Sequence, residues 1–249
     1  MISLVPLAGL PAIRPGDDLG VLLLTAAESG RTALAEGDVL VVCQKVVSKA
    51  EGRIVDLRAV EPSSFARHIA SLAEDKDPRI VEVVLRETKR IVKMERGHLI
   101  VETGAGWICA NAGVDASNSG DADTVILLPV DPDASARRIV SLLHERTGQR
   151  IAVIVTDTFG RPWRQGLVDF ALGVAGMDAL LDLRGSTDLD GRELHHTVIA
   201  QADALAAAAG LLMRKNAGIP AVLIRGYEFT PAEGTGRDLV RPPELDMFR

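Results

Sequence analysis

IAVIVTDTFGRPWRQGLVDFALGVAG, residues 151–176, joins an unbroken apolar run to a stretch dense in carboxylate, hydroxyl and guanidinium groups. The run at 151–155 has the length and β-branched content of a buried strand, so Asp157 and Thr158 fall where a strand delivers side chains to a ligand crevice. Arg161 and Arg164 follow, with Gly160 and Gly166 able to turn tightly or to approach a ligand closely. This combination suits metal-bound phosphate. It reads equally well as a strand end, a capped turn and two solvated arginines.

WICANAGVDASN, residues 107–118, is a second short strand pattern that ends in small residues and places Asp115 and Asn118 beyond it. Two strand-end aspartates and a hydroxyl would supply part of the oxygen shell of a hard cation such as Mg²⁺, which leaves its other positions to water or phosphate. In a GVDASN context Asp115 also suits an Asx-turn. QKVVSKAEGR, residues 44–53, follows the apolar run 39–42 and offers Lys49, near Gln44 and Ser48, as a point cation for phosphate. Lys45, Glu51 and Arg53 read as solvated or paired charges. Neither a GxxxxGK[ST] loop nor a GxGxxG fingerprint occurs, so a nucleotide site here belongs to neither of those classes.

The chain has 249 residues, 47% of them hydrophobic but only 3% aromatic, enough to bury a large core built from Leu, Val, Ala and Ile. A net charge of −6 gives no electrostatic footprint for nucleic acid or anionic lipid, so positive charge for anionic substrates must be concentrated locally. No membrane span or leader is legible, which makes a cytoplasmic protein the expectation. Cys43 and Cys109 lie in apolar strand patterns and read as buried reduced thiols. His68, His98, His144, His195 and His196 have no metal-ligand spacing.

Short apolar strands alternate with Ala- and Leu-rich helices, without repeats or a low-complexity linker, and one continuous unit over residues 1–249 is expected. Helices are predicted at 19–28, capped by Asp17 and Gly30; from Pro132, capped by Asp131 and ended by Gly148; and at 202–215. Strands are predicted near 38–43, 106–110, 125–128, 151–156 and 221–225. The order is not a regular strand–helix alternation, so the fold class is α+β, with mixed sheets and packed helices.

The segments GLPAIRPGDDL (9–19), GDVLVVCQKVVSKAEGR (37–53), ICANAGVDASN (108–118), LLPVDPDASA (127–136), VIVTDTFGRPWRQG (153–166) and GIPAVLIRG (218–226) occur in this order over nearly the whole chain. Together they resemble the coenzyme F420-0:L-glutamate ligase family, also called F420 gamma-glutamyl ligase. The resemblance implies an interwoven two-lobed fold, a homodimer, and an amide ligase that joins L-glutamate to F420-0 using GTP and Mg²⁺ or Mn²⁺, with two ions. It implies an acyl-phosphate mechanism, with metal ligands at Asp115, Asp157 and Thr158. GTP contacts are implied at Leu10, Pro11, Ala12, Ile13, Gln44, Lys49 and Asn118. Arg161 and Arg164 are added on chemical grounds as candidates for the acyl phosphate or the anionic substrates.

Some relatives carry an appended flavin-binding domain; with the last residue at Arg249, none is expected here. In TVIAQADALAAAA (197–209), Ala204 stands where the family usually has an acidic or amide metal ligand, so Gln201 or water is expected to substitute. Asp188 and Arg192 match a family loop and also suit a plain hairpin turn at Asp190 and Gly191. Two other readings of the same residues are a metal-dependent nucleotide phosphohydrolase and a non-catalytic nucleotide-binding protein.

Overall fold

The computed structural model describes residues 1–117 and 119–246. The chain opens with strand β1 (Ser3–Leu7) and helix α1 (Leu19–Ser29). Asp18 caps α1 by accepting from Val21 N, whereas Asp17, the expected cap, accepts from Arg14 N and fixes the turn before it. Strand β2 (Val39–Cys43) then runs without a pause into α2 (Gln44–Ala50). A second lobe is inserted here: β3 (Ile54–Asp56), α3 (Ser64–Ser71), α4 (Pro78–Arg86), β4 (Thr88–Glu95), β5 (His98–Thr103), β6 (Ile108–Ala110) and β7 (Thr124–Ile126).

The chain returns to the first lobe with α5 (Pro132–Thr147). This helix starts as its sequence specifies, with proline in the first turn, the Asp131 carboxylate on Ala134 N, and Gly148 closing it in the left-handed region at φ 72°. Strands β8 (Ala152–Arg161) and β9 (Arg164–Ala175) form a long hairpin around a turn at Pro162 and Trp163. A small ribbon, β10 (Leu181–Asp182) with β11 (Val198–Ile199), precedes α6 (Gln201–Gly210) and β12 (Ala221–Arg225). Helix α6 is shorter than predicted, because Gly210 ends it before Lys215.

The main sheet has the order β1-β12-β2-β8-β9; only β2 and β8 are parallel, and the other pairs are antiparallel. Its central strands are apolar on both faces. Leu40, Val42, Val153, Val155 and Leu223 pack toward α1 and α5, and Val39, Val41, Ile154, Val222 and Ile224 toward α6. The inserted lobe has its own core, in which Ala66, Ile69, Val81 and Val84 of α3 and α4 cover Leu99 and Val101 of the β4-β5-β6 sheet. This is an α+β fold with mixed sheets.

Edge strand β9 is covered by carboxylates. Asp203 accepts from Ala171 N, and Asp133 accepts from both Val174 N and Gly236 N. Asp133 gets there because residue 173 is glycine; a Cβ at that position would lie 2.2 Å from Pro132 O. Among the described residues no helix is long and apolar enough to cross a membrane.

Candidate active site

A cleft of about 760 Å³ opens at the carboxyl ends of β2 and β8, the one parallel pair of the main sheet. Leu10 and Pro11 form one rim, Lys45, Val46 and Lys49 of α2 another, and Ile108, Cys109, Ala110 and Asp115 of the inserted lobe face them. Asp157, Thr158 and Arg161 of β8 form the floor, and Arg214 and Lys215 approach from the segment after α6. The cations Lys45, Lys49, Arg161, Arg214 and Lys215 therefore meet two aspartates in one space on a chain of net charge −6.

Asp115 is held from both sides. Its Oδ2 lies 2.7 Å from Lys45 Nζ and 3.8 Å from Lys215 Nζ, and its Oδ1 accepts from Ser117 N at 2.6 Å. Lys45 also donates to Ser117 Oγ at 2.6 Å. The Asx-turn and a place in the cleft wall thus coexist in one side chain. Burial pulls the Asp115 carboxyl upward, but Lys45 and Ser117 outweigh it and hold it below the usual carboxylate range.

Asp157 behaves oppositely: burial pushes its carboxyl up to about 6, against the Thr158 N–H and Lys45, while the charges of Asp115 and Asp169 push in the same upward direction. Thr158 donates its hydroxyl to Asp169 Oδ1 at 2.5 Å. Burial also raises Asp169, with the Thr158 hydroxyl opposing it.

The donors suit a hard divalent cation in type. Asp115, Asp157 and Thr158 all line the cleft and all carry oxygen donors. Among the described residues no three His, Cys, Asp or Glu side chains converge as a metal cluster, so the protein offers only part of a shell. Phosphate oxygens and water would complete it. Burial first, and the charges of Asp115 and Asp169 after it, disfavour an ionised Asp157, and a divalent ion beside that carboxylate would offset the cost.

The other candidates divide. Leu10, Pro11, Lys49 and Arg161 line the cleft; Ala12 is exposed outside it, and the Ile13 side chain belongs to the main core. Gln44 is fully buried under α2, accepting from Ser48 Oγ while its Nε2 has no partner among the described residues, because the first helical residue after β2 points inward. Arg164 is exposed at the hairpin tip and does not line the cleft, because the turn at Pro162 and Trp163 carries it past the rim. Asn118 lies outside the described residues.

Gln201 is not free to replace a ligand at Ala204: its Nε2 donates to Asp178 O and its Oε1 accepts from Tyr227 OH. Asp188 organises a turn, accepting from Asp190 N and Arg192 N. Cys43 and Cys109 both line the cleft as free thiols, and burial pushes them up to about 11 and about 12, far from thiolate chemistry. None of the five histidines lines it. Sequence reasoning missed Asp169, Arg214 and Lys215, and it set Lys45 aside as a solvated or paired charge.

The family model described as F420-0:Gamma-glutamyl ligase matches residues 9–226. The chain belongs to this F420-0:gamma-glutamyl ligase family. A protein named Coenzyme F420:L-glutamate ligase from Methanothermobacter thermautotrophicus is 44% identical over 100% of this chain and 99% of its own length. Family members of the same name from Methanopyrus kandleri and Archaeoglobus fulgidus are 47% and 43% identical, covering 95% and 100% of this chain and 93% and 96% of their own lengths. The gamma-glutamyl ligase match spans both lobes, so the cleft between them lies wholly within the matched region.

Proposed function

We propose that the chain is a ligase that forms an amide between L-glutamate and coenzyme F420-0, with GTP as the phosphoryl donor and Mg²⁺ or Mn²⁺ as cofactor. The observation that carries this reading is the convergence of five cations and two aspartates in one cleft of a family member. In the first step the γ-phosphoryl of GTP passes to the terminal carboxylate of F420-0, giving an acyl phosphate and GDP. The glutamate amine then attacks the acyl carbon; phosphate leaves, the amide C–N bond forms, and the amine gives up its proton.

Asp115, Asp157 and Thr158 would hold the cation, two ions in the fullest form of this reading. The ion supplies charge neutralisation at the phosphates. Lys49 neutralises phosphate oxygens as a point charge from the end of α2, and Arg161 orients anionic substrate groups from the floor. Leu10 and Pro11 wall the nucleotide side. A homodimer fits the exposed apolar ribbon, in which Leu181, Leu189, Val198 and Ile199 all face outward. A two-stranded ribbon of this kind is marginal on its own in water.

The test is incubation with F420-0, L-glutamate, GTP and Mn²⁺ or Mg²⁺, followed by mass analysis of the F420 species and of the nucleotide. Glutamyl addition that requires all four components is the expected result. GTP breakdown that ignores F420-0 and glutamate would replace this reading with a phosphohydrolase, and binding of GTP without any turnover would replace it with a nucleotide-binding protein.

A further inference from the structure

Thr158 and Asp169 face one another across the β8–β9 ladder as direct partners. A hydroxyl has one proton to give and two lone pairs with which to accept. An ionised carboxylate only accepts, so the 2.5 Å contact commits the Thr158 proton to Asp169 Oδ1.

Thr–Asp pairs across exposed strands are ordinary, but the surroundings of this one are not. Asp169 is half-buried, does not line the cleft, and forms no ion pair with Lys or Arg among the described residues. A half-buried carboxylate held by a hydroxyl and by no cation among the described residues is costly to keep. Its other oxygen is packed against the end of α6, where a Cβ at position 210 would lie 2.1 Å from Asp169 Oδ2. Glycine at 210 is thus what admits the carboxylate behind Thr158.

We propose that Asp169 is a positioning residue: it takes the Thr158 hydroxyl proton and so turns the Thr158 oxygen toward the cleft as a pure acceptor for a divalent cation, with Gly210 providing the room. The inference rests on the divalent-cation reading of the cleft and assigns the acceptor state of one of its ligands. Asp169 acts through Thr158 and touches neither cation nor substrate. Outer partners that orient a ligand in this way commonly change metal affinity by roughly 10- to 100-fold.

The experiment is a double-mutant cycle on the full chain, with Mn²⁺ alone as the probe and free Mn²⁺ read by electron paramagnetic resonance. Asp169→Asn keeps the size but replaces the acceptor-only carboxylate by an amide, whose NH2 end can donate to Thr158 and free the hydroxyl proton. Gly210→Ala disturbs the carboxylate from the helix side, where a Cβ would meet Asp169 Oδ2 and Cγ. Each is made alone and with Thr158→Val, and melting curves are recorded in parallel.

The expected result is that Asp169→Asn and Gly210→Ala each weaken Mn²⁺ binding about tenfold in the native background and less than about twofold once Thr158 is valine. A loss that persists undiminished beside Thr158→Val makes Asp169 an independent ligand or a structural residue and overturns the proposal. Wild-type Mn²⁺ affinity in both single variants also overturns it, leaving the cation site standing. Absence of Mn²⁺ binding by the unmodified protein removes the cation reading itself, and the proposal with it.

Discussion

Lys45 Nζ lies 2.7 Å from Asp115 Oδ2, and this contact joins α2 of the main lobe to the turn of the inserted lobe. The pair is mostly shielded, at 13% and 27% side-chain exposure, and Asp157 sits within range of both charges. Lys45→Met should therefore leave two carboxylates facing each other with Lys215 as a distant counter-charge. The expected cost is about 2–3 kcal/mol in metal-free buffer, somewhat below that of breaking a fully buried pair. Denaturant titration with and without Mn²⁺ checks it: the ion should raise the midpoint more in the variant than in the native chain. Equal stability without metal would mean that the pair does not secure the lobes.

Lys49 lines the cleft and forms no ion pair among the described residues. Lys49→Ala should lower kcat/KM about 100-fold, corresponding to roughly 3 kcal/mol of transition-state stabilisation, while Tm changes by no more than about 2 °C. Steady-state ligation kinetics beside a thermal melt separate the two effects. A folded variant with native kcat/KM would take Lys49 out of the reaction.

Asp157 links the site to pH. Its folded carboxyl is raised to about 6 by burial first and by Asp115 and Asp169 next, above the ordinary aspartate value of 3.8. Folding therefore takes up a proton between these values, and the contribution of this group to stability falls as pH rises through that window. Above pH 6 the ionised carboxylate costs on the order of 2–3 kcal/mol. Asp157→Asn should accordingly stabilise the metal-free protein by that order at pH 8, give little gain at pH 4, and abolish ligation. Urea titrations at the two pH values decide it; a gain that does not depend on pH would assign the effect to packing instead.

The exposed ribbon gives the fourth expectation. Val198 and Ile199 pair with Leu181 and Asp182, and Leu189 extends fully into solvent. Ile199→Asp should convert a dimer to a monomer in light scattering after size exclusion, with the melting transition of the main sheet preserved. A native chain that is monomeric at tens of micromolar would overturn the homodimer reading directly.

What was legible in the sequence depended on whether local signals and tertiary contacts agreed. Asp131, Pro132 and Gly148 state both ends of α5, and the structure follows them. Helix α2 carries no such signal: it begins directly after Cys43 with no side-chain cap, and its Val46 and Val47 continue the strand-like pattern. For that reason Lys45 passed as a loop charge although it turns into the cleft.

Asp169 was hidden by register. Arg161 pairs with Arg164 but Gly160 pairs with Leu167, so Gln165 and Gly166 are extra residues on β9. Counting outward from the turn without them would put Leu167 opposite Thr158. Only the bulge, with Gly166 at φ 86°, brings the carboxylate there. The order of Asp115, Asp157 and Lys49 along the chain was readable, but their meeting in one cleft depends on a lobe inserted between α2 and α5.

The last strand of the main sheet, β12, lies between the first two, with Ser3 opposite Arg225 on one side and Val42 opposite Ala221 on the other. A ribosome delivers β1 and β2 long before their shared neighbour exists. Until residue 225 has emerged, the Val39–Cys43 strand presents an apolar, unpaired edge, and Leu4 and Val5 have no sheet to join. The inserted lobe, with its own core and short-range pairings, is free to fold during that wait. Vectorial synthesis would then finish the jaw before the hinge, and the cleft would be the last part of the molecule to come into being.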